Sequence, residues 1–308
     1  MGKDYLKVRV PATSANLGAG FDVFGIALEN PADIIEVEKS DKTIITVTGR
    51  DSQYVPVDPK KNTAGIVASL LERQVTIRIQ RGIPLSSGLG SSAAPAAAVA
   101  FALNEMFSLG LSREELVRLA AQGEKAASGA AHADNVAPAI YGGFVIVHKN
   151  RIISLYPENI GIVAVHPEII VSTRTARAIL PRKLSLPDIS FNTGNAASMV
   201  VGIMKSDIKL IGESMENRVI EEVRSKLIKG YGQVKKSAIE AGASGVTISG
   251  SGPTMIAVCS INERENIAKA MTQAFSKNHI KSEAFITTIG NGAKVIDGLK
   301  LPEMSKLA

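Results

Sequence analysis

Pro84-Leu-Ser-Ser-Gly-Leu-Gly-Ser-Ser-Ala-Ala94 joins an alternating strand pattern over 75–80 to an alanine-rich segment over 91–107. Glycines let backbone N–H groups approach an anion closely, the serines add donors, and a helix behind them aims its positive end at the same point. The segment is therefore designed to hold a phosphate group, although spacing alone also allows a plain strand-to-helix connection. It has no lysine, so it is not a Walker loop. Gly88-x-Gly90-x-x-Ala93 superficially matches the dinucleotide fingerprint, but the place of the ribose-binding acid is taken by a helix opening over 112–119.

Upstream of the loop, Val75, Ile77 and Ile79 alternate with Thr76, Arg78 and Gln80, a period of two that predicts a strand. Strands are also predicted at 5–10, 33–38 and 43–48, a short helix at 63–72, and a glycine-bearing turn at 11–20. Downstream, alanine is the best helix former, and Pro95 requires the helix to begin just before it, which places Ser91 or Ser92 at its N-terminus. Ser112-Arg-Glu-Glu115 reads as a capping box. Gly142-Gly143 precedes a strand pair at 144–148 and 152–155.

The second half has a different rhythm. Strands are predicted at 162–165, 246–249, 254–259 and 283–288, with helices at 173–180, 195–205, 217–228, 233–241 and 263–275. Two α+β lobes follow, 1–157 and 158–308, without a strict βαβ alternation. Periodicity leaves open whether the alanine-rich helix packs inside its lobe or against a partner.

The chain has 308 residues, 45% of them hydrophobic, which excludes wholesale disorder. Its net charge of +6 comes from scattered lysines and arginines, and only 4% of residues are aromatic. A basic stripe is thus missing and stacking platforms are few, which argues against a nucleic-acid binder. The single cysteine, Cys259, excludes an internal disulfide and is expected in a buried strand. No secretion signal opens the chain and no apolar run reaches the ~18 residues of a membrane span. A cytoplasmic protein without membrane contact is expected.

The loop resembles the nucleotide loop of the GHMP kinases, the superfamily of galactokinase, homoserine kinase and mevalonate kinase. Two further segments agree with it: Pro11-Ala-Thr-Ser-Ala-Asn-Leu-Gly-Ala-Gly-Phe-Asp22 and Ser249-Gly-Ser-Gly-Pro-Thr254. Within the superfamily, the first of these segments and His132-Ala-Asp-Asn-Val-Ala-Pro138 most resemble the homoserine kinases. The resemblance implies an N-terminal lobe like domain 2 of ribosomal protein S5, a ferredoxin-like C-terminal lobe, and a homodimer. It implies phosphoryl transfer from MgATP to the side-chain hydroxyl of L-homoserine.

ATP is then expected along Pro84, Leu85, Ser86, Ser87, Gly88, Leu89, Gly90, Ser91, Ser92, Ala93 and Ala94. Ser86-Ser87 stands where relatives more often carry a glycine-containing pair. Glu124 matches the family's magnesium-binding glutamate, with Ser92 as its hydroxyl partner, a donor set suited to hard Mg²⁺. Asn16 and Asp22 match the side that takes the substrate ammonium, while Arg177 and Arg224 match the two arginines for its carboxylate. Read without the family, Asn16 and Asp22 are equally good turn residues. His132 is expected to line the substrate pocket. Thr173 either touches substrate or caps its helix.

Several relatives place an aspartate to take the hydroxyl proton; here that stretch reads Ala133-Asp134-Asn135. A loose transition state needs positioning and charge neutralisation more than a strong base. Asn135 is therefore expected to orient the hydroxyl, with Asp134 as the rival base. The competing activity is another small-alcohol kinase of the superfamily, acting on threonine, shikimate or a mevalonate derivative.

Overall fold

The computed structural model describes residues 3–128 and 131–296. β1 (Tyr5–Asn16) and β2 (Gly20–Lys39) form a long antiparallel pair. β3 (Ile44–Gly49), α1 (Thr63–Leu70), β4 (Val75–Arg81), α2 (Ala93–Phe107), α3 (Arg113–Ser128), α4 (Ala133–Tyr141), β5 (Phe144–His148) and β6 (Arg151–Leu155) follow. β4 lies beside β2 and parallel to β3, while β5 extends the far end of β2.

The expected turn at 11–20 is mostly strand. Residues 11–16 are all buried, so they show no polar alternation that would mark them as strand. The reversal is confined to Leu17–Ala19, where Asn16, Leu17 and Gly18 all take positive φ. Gly18 is required there, because a Cβ would stand 1.8 Å from the Met215 carbonyl oxygen.

The alanine-rich helix lies inside the lobe. Residues 93–100 of α2 have no exposed surface apart from Pro95, which is also buried, and their small side chains let α1, α3, α4 and β1 close around the helix. Pro95 falls in the first turn, where its missing N–H would have no intrahelical partner anyway.

The second half contains β7 (Ile160–Pro167), α5 (Thr173–Ala178), α6 (Leu186–Lys205), α7 (Ile208–Glu213), α8 (Ile220–Arg224), α9 (Tyr231–Glu240), β8 (Gly245–Ile248), β9 (Met255–Ser260), α10 (Arg264–Lys277), β10 (Ser282–Thr288) and β11 (Lys294–Val295). β11 returns to pair with β1 in the first sheet. The second sheet runs β10-β7-β9-β8, antiparallel throughout, which is the 4-1-3-2 order of a ferredoxin-like unit with five helices in its first crossover. The fold is therefore α+β, as expected. Ile162, Ala164, Ile256 and Val258 join the core of the first lobe. Val163, Val165, Met255, Ala257 and Cys259 face α9 and α10 through Val234, Met271 and Phe275. Both faces of this sheet are buried, so Cys259 is inert, its thiol pushed up to about 11 by desolvation.

Four helices depart from expectation. α6 starts well before residue 195, because Ser185 and Asp188 form a reciprocal capping box with Pro187 in the first turn. The helix expected at 217–228 begins only at Ile220, where Asn217 accepts from the Val219 and Ile220 amides. α4 and α7 were not anticipated at all.

Candidate active site

The lobes meet over a cavity of about 660 Å³, lined by the loop after β4, the ends of α3 and α5, the start of α4, Arg224 of α8 and the turn Gly250–Ser251. The loop is held from below by a buried ion pair. Arg81 donates to the Ser91 carbonyl at 2.9 Å, to the Ile83 carbonyl at 3.0 Å and to Ser91 Oγ at 3.0 Å. Its Nε lies 3.4 Å from Asp33, whose other oxygen accepts from the Gly82 and Ile83 amides. One guanidinium thus fastens both ends of the loop. Burial pushes the Asp33 carboxyl up, against the guanidinium and the amides that favour its charged form.

The third motif docks on the same loop. Ser249 Oγ donates to the Gly88 carbonyl at 2.8 Å and lies 2.9 Å from Ser14 Oγ. The Thr254 amide donates to the Ser87 carbonyl. The three segments singled out in the sequence are therefore one hydrogen-bonded unit. Ser86 takes φ 53° and Gly88 and Gly90 φ 81° and 68°, so the chain turns tightly enough for successive amides to face one point. Leu89, Ala93 and Ala94 are wholly buried in the core, and only their backbone is available to a nucleotide.

Ser92 is the N-cap residue of α2 but makes no capping bond; its hydroxyl donates instead to Glu124 at 2.6 Å. Glu124 is 1% exposed, and His132 Nδ1 stands 3.7 Å from it, an approach that raises the His132 pKa against the effect of burial. All three line the cavity beside the loop.

Asp22 and Arg177 form a two-pronged ion pair with both contacts at 3.0 Å. Asn16 supports it: its carbonyl oxygen accepts from the Asp22 amide and its amide donates to the Gly250 carbonyl, both at 3.0 Å. Asn16 thus shapes the turn through both ends of its side chain. Arg224 is 4% exposed and donates to the carbonyls of Gly250 at 2.8 Å and Ala176 at 3.3 Å. Both arginines lie over Phe21, at 5.6 and 5.4 Å, a residue the sequence reading passed over. Burial and the neighbouring Arg177 lower the Arg224 pKa to about 10. Thr173 does not cap α5; Ser172 does, and Thr173 Oγ1 lies 3.3 Å from Ser251 Oγ on the cavity wall.

Asp134 and Asn135 open α4. Asn135 Oδ1 accepts from Thr13 Oγ1 at 2.9 Å. The Asp134 carboxyl is pushed up to about 6, first by burial and then by the charge of Asp22. Its folded pKa lies above the 3.8 of a free aspartate, so the native state binds the extra proton between these values. Stability consequently falls as pH rises through this window, by on the order of 3 kcal/mol once the group is ionised. Asp134→Asn is expected to raise Tm by about 5 °C at pH 7.5, with the gain vanishing near pH 4. Thermal melts of both proteins across that range test this, and a gain independent of pH would refute it.

Chain comparisons agree with this geometry. Residues 61–143 match the GHMP kinases N terminal domain and residues 199–277 the GHMP kinases C terminal domain. The homoserine kinase of Methanocella arvoryzae is 51% identical over 96% of this chain and 98% of its own length. The crystal structure of homoserine kinase from Cytophaga hutchinsonii superposes with a TM-score of 0.87 at 39% identity, covering 96% of this chain and 98% of that one. Mevalonate kinase from L. major, at 16% identity and a TM-score of 0.76, covers 94% and 99% and shares the fold. Among the described residues no helix is long and apolar enough to cross a membrane. A glycine–serine loop, a serine–glutamate pair and a charged pocket converge between the lobes, and the likeness spans nearly the whole chain, so this chain belongs to the GHMP kinase family, in its homoserine kinase branch.

Proposed function

We propose that this kinase transfers the γ-phosphoryl group of ATP to the side-chain hydroxyl of L-homoserine, yielding O-phospho-L-homoserine. The observation that carries this is Arg224. Its guanidinium is almost fully buried on the cavity wall, where it donates to two carbonyls and lies over an aromatic face, and the charges of Asp22 and Asp134 reach it without a described direct ion pair. A buried guanidinium that no carboxylate touches directly suits a ligand that brings one. Asp22 beside it suits the ammonium of the same ligand. The names of the relatives, homoserine kinase, agree.

In this reading residues 1–157 bind ATP and residues 158–308 complete the substrate pocket, in a cytoplasmic homodimer. The phosphates lie against the loop amides and the first turn of α2. The Ser92–Glu124 pair fits Mg²⁺, since both are hard oxygen donors. Bound there, Mg²⁺ would neutralise charge on the phosphate oxygens.

The substrate hydroxyl oxygen forms the new O–P bond, and the β–γ bridging P–O bond breaks with its electron pair leaving on ADP. Asn135 orients the hydroxyl, and its proton passes to a phosphoryl oxygen. The loop amides hold the equatorial oxygens. Asp134→Asn separates this route from a carboxylate base, since retention of kcat within about tenfold fits it and a loss near 10⁴-fold assigns the proton to Asp134.

The activity itself is tested by MgATP turnover across L-homoserine, L-threonine, shikimate and mevalonate, with products identified by mass spectrometry. Turnover with homoserine at a kcat/KM at least about 100-fold above the others is expected, because the other acids lack an ammonium or displace the hydroxyl. Preferential turnover of another alcohol would overturn the substrate assignment while leaving the phosphate site intact.

A further inference from the structure

Thr13 lies in β1, 1% exposed, where the two halves of the reaction meet. Its amide donates to the Leu89 carbonyl of the phosphate loop at 3.1 Å. Its hydroxyl donates to Asn135 Oδ1 at 2.9 Å, across 122 residues of sequence. The loop closes tightly over this contact, since a Cβ on Gly90 would stand 2.0 Å from Thr13 Oγ1 and 3.3 Å from Asn135 Oδ1.

We propose that Thr13 is a positioning residue that sets which end of the Asn135 amide faces the acceptor hydroxyl. An amide oxygen only accepts, so a hydroxyl donated from Thr13 engages that oxygen and leaves the Nδ2 hydrogens as the donors open to the cavity. Asn135 lines that cavity beside Gly90. Donation from Nδ2 to the substrate oxygen turns the hydroxyl's own hydrogen away from Asn135 and toward the γ-phosphoryl oxygens that receive it. Nucleophile strength matters little in a loose transition state, so orienting the hydroxyl gains more than the donated bond withdraws. Because the same residue grips the loop, it fixes the acceptor's anchor relative to the phosphates. The inference rests on the reading of Asn135 at the acceptor hydroxyl.

The test is a double-mutant cycle in the full chain, comparing Thr13→Val, Thr13→Ser, Asn135→Ala and the Val/Ala double variant under saturating MgATP. Thr13→Val is expected to lower kcat by about 10- to 100-fold with the KM for ATP within about twofold, since the amide contact to the loop remains. Thr13→Ser, which keeps the hydroxyl, is expected to recover most of kcat. In the Asn135→Ala background Thr13→Val is expected to add less than about a twofold further loss. Equal losses in both backgrounds, or full activity in Thr13→Val, would overturn the role of Thr13. Full activity in Asn135→Ala would overturn the reading of Asn135 itself, a distinct result. Circular dichroism and thermal melting verify folding, and Thr13→Ala replaces the valine variant in the cycle should valine not be accommodated.

Discussion

Glutamine at position 124 is expected to lower kcat by about 10²- to 10³-fold and to raise the Mg²⁺ concentration needed for half-maximal rate. Glutamine keeps the shape of the side chain and can still accept from Ser92 at its amide oxygen, so the variant removes charge and little else. Glu124 is 1% exposed, accepts from the Ser92 hydroxyl and faces His132 Nδ1. Thermal melting of the variant beside the parent separates a loss of catalysis from a loss of fold. Ser92→Ala is expected to reduce the rate less, because a neutral ligand is lost while the carboxylate remains. Initial rates over a Mg²⁺ titration for the three proteins give the answer. A kcat and Mg²⁺ dependence indistinguishable from the parent in Glu124→Gln would remove Glu124 from the metal site.

The phosphate loop was legible because its chemistry is local: glycines, serines and a good helix former follow one another within eleven residues of sequence. Strands with one polar face, such as 75–80, were legible for the same reason. Residues 11–16 were not, since a strand buried on both faces has no alternation, and small residues with a proline look like a turn. The residues that line the cavity were legible by resemblance, but the connections among them were not. Asp22 meets Arg177 across 155 residues, Thr13 meets Asn135 across 122, and Asp33 meets the loop amides across 49 and 50. Nothing in the neighbourhood of Asp33 marks it as the counter-ion of Arg81. The one local hint was an arginine on an inward-facing strand position just ahead of the loop, a buried charge that needs a partner. Phe21 carried no signal either, because its role is to pack under two arginines that arrive from α5 and α8.

Arg224→Ala is expected to lower kcat/KM for homoserine by between about 30-fold and a few thousand-fold, the 2–5 kcal/mol typical of deleting one side of a desolvated charge pair. The KM for ATP should move little, since Arg224 reaches the Gly250 turn and α5 rather than the loop. The Asp22–Arg177 pair is already closed in this structure, so under the proposed reading a zwitterionic substrate would enter by exchange. Its ammonium would replace Arg177 at Asp22 while its carboxylate would take up the released guanidinium together with Arg224. A ligand with only one of the two charges breaks the same pair and returns half of the contacts. 3-Amino-1-propanol, which is homoserine without its carboxylate, is therefore expected to be phosphorylated poorly by the parent enzyme, and Arg224→Ala should cost it almost nothing further. Homoserine, by contrast, should fall toward the level of the amino alcohol in that variant. Arg224→Lys should recover only part of the loss, because an ammonium cannot serve the Gly250 and Ala176 carbonyls and a carboxylate with the same fork. The four kcat/KM values from two substrates and two proteins measure this coupling directly. Losses of equal size for both substrates would show that Arg224 supports the Gly250 turn and α5 without meeting the carboxylate, and the assignment of the clamp would fall with it.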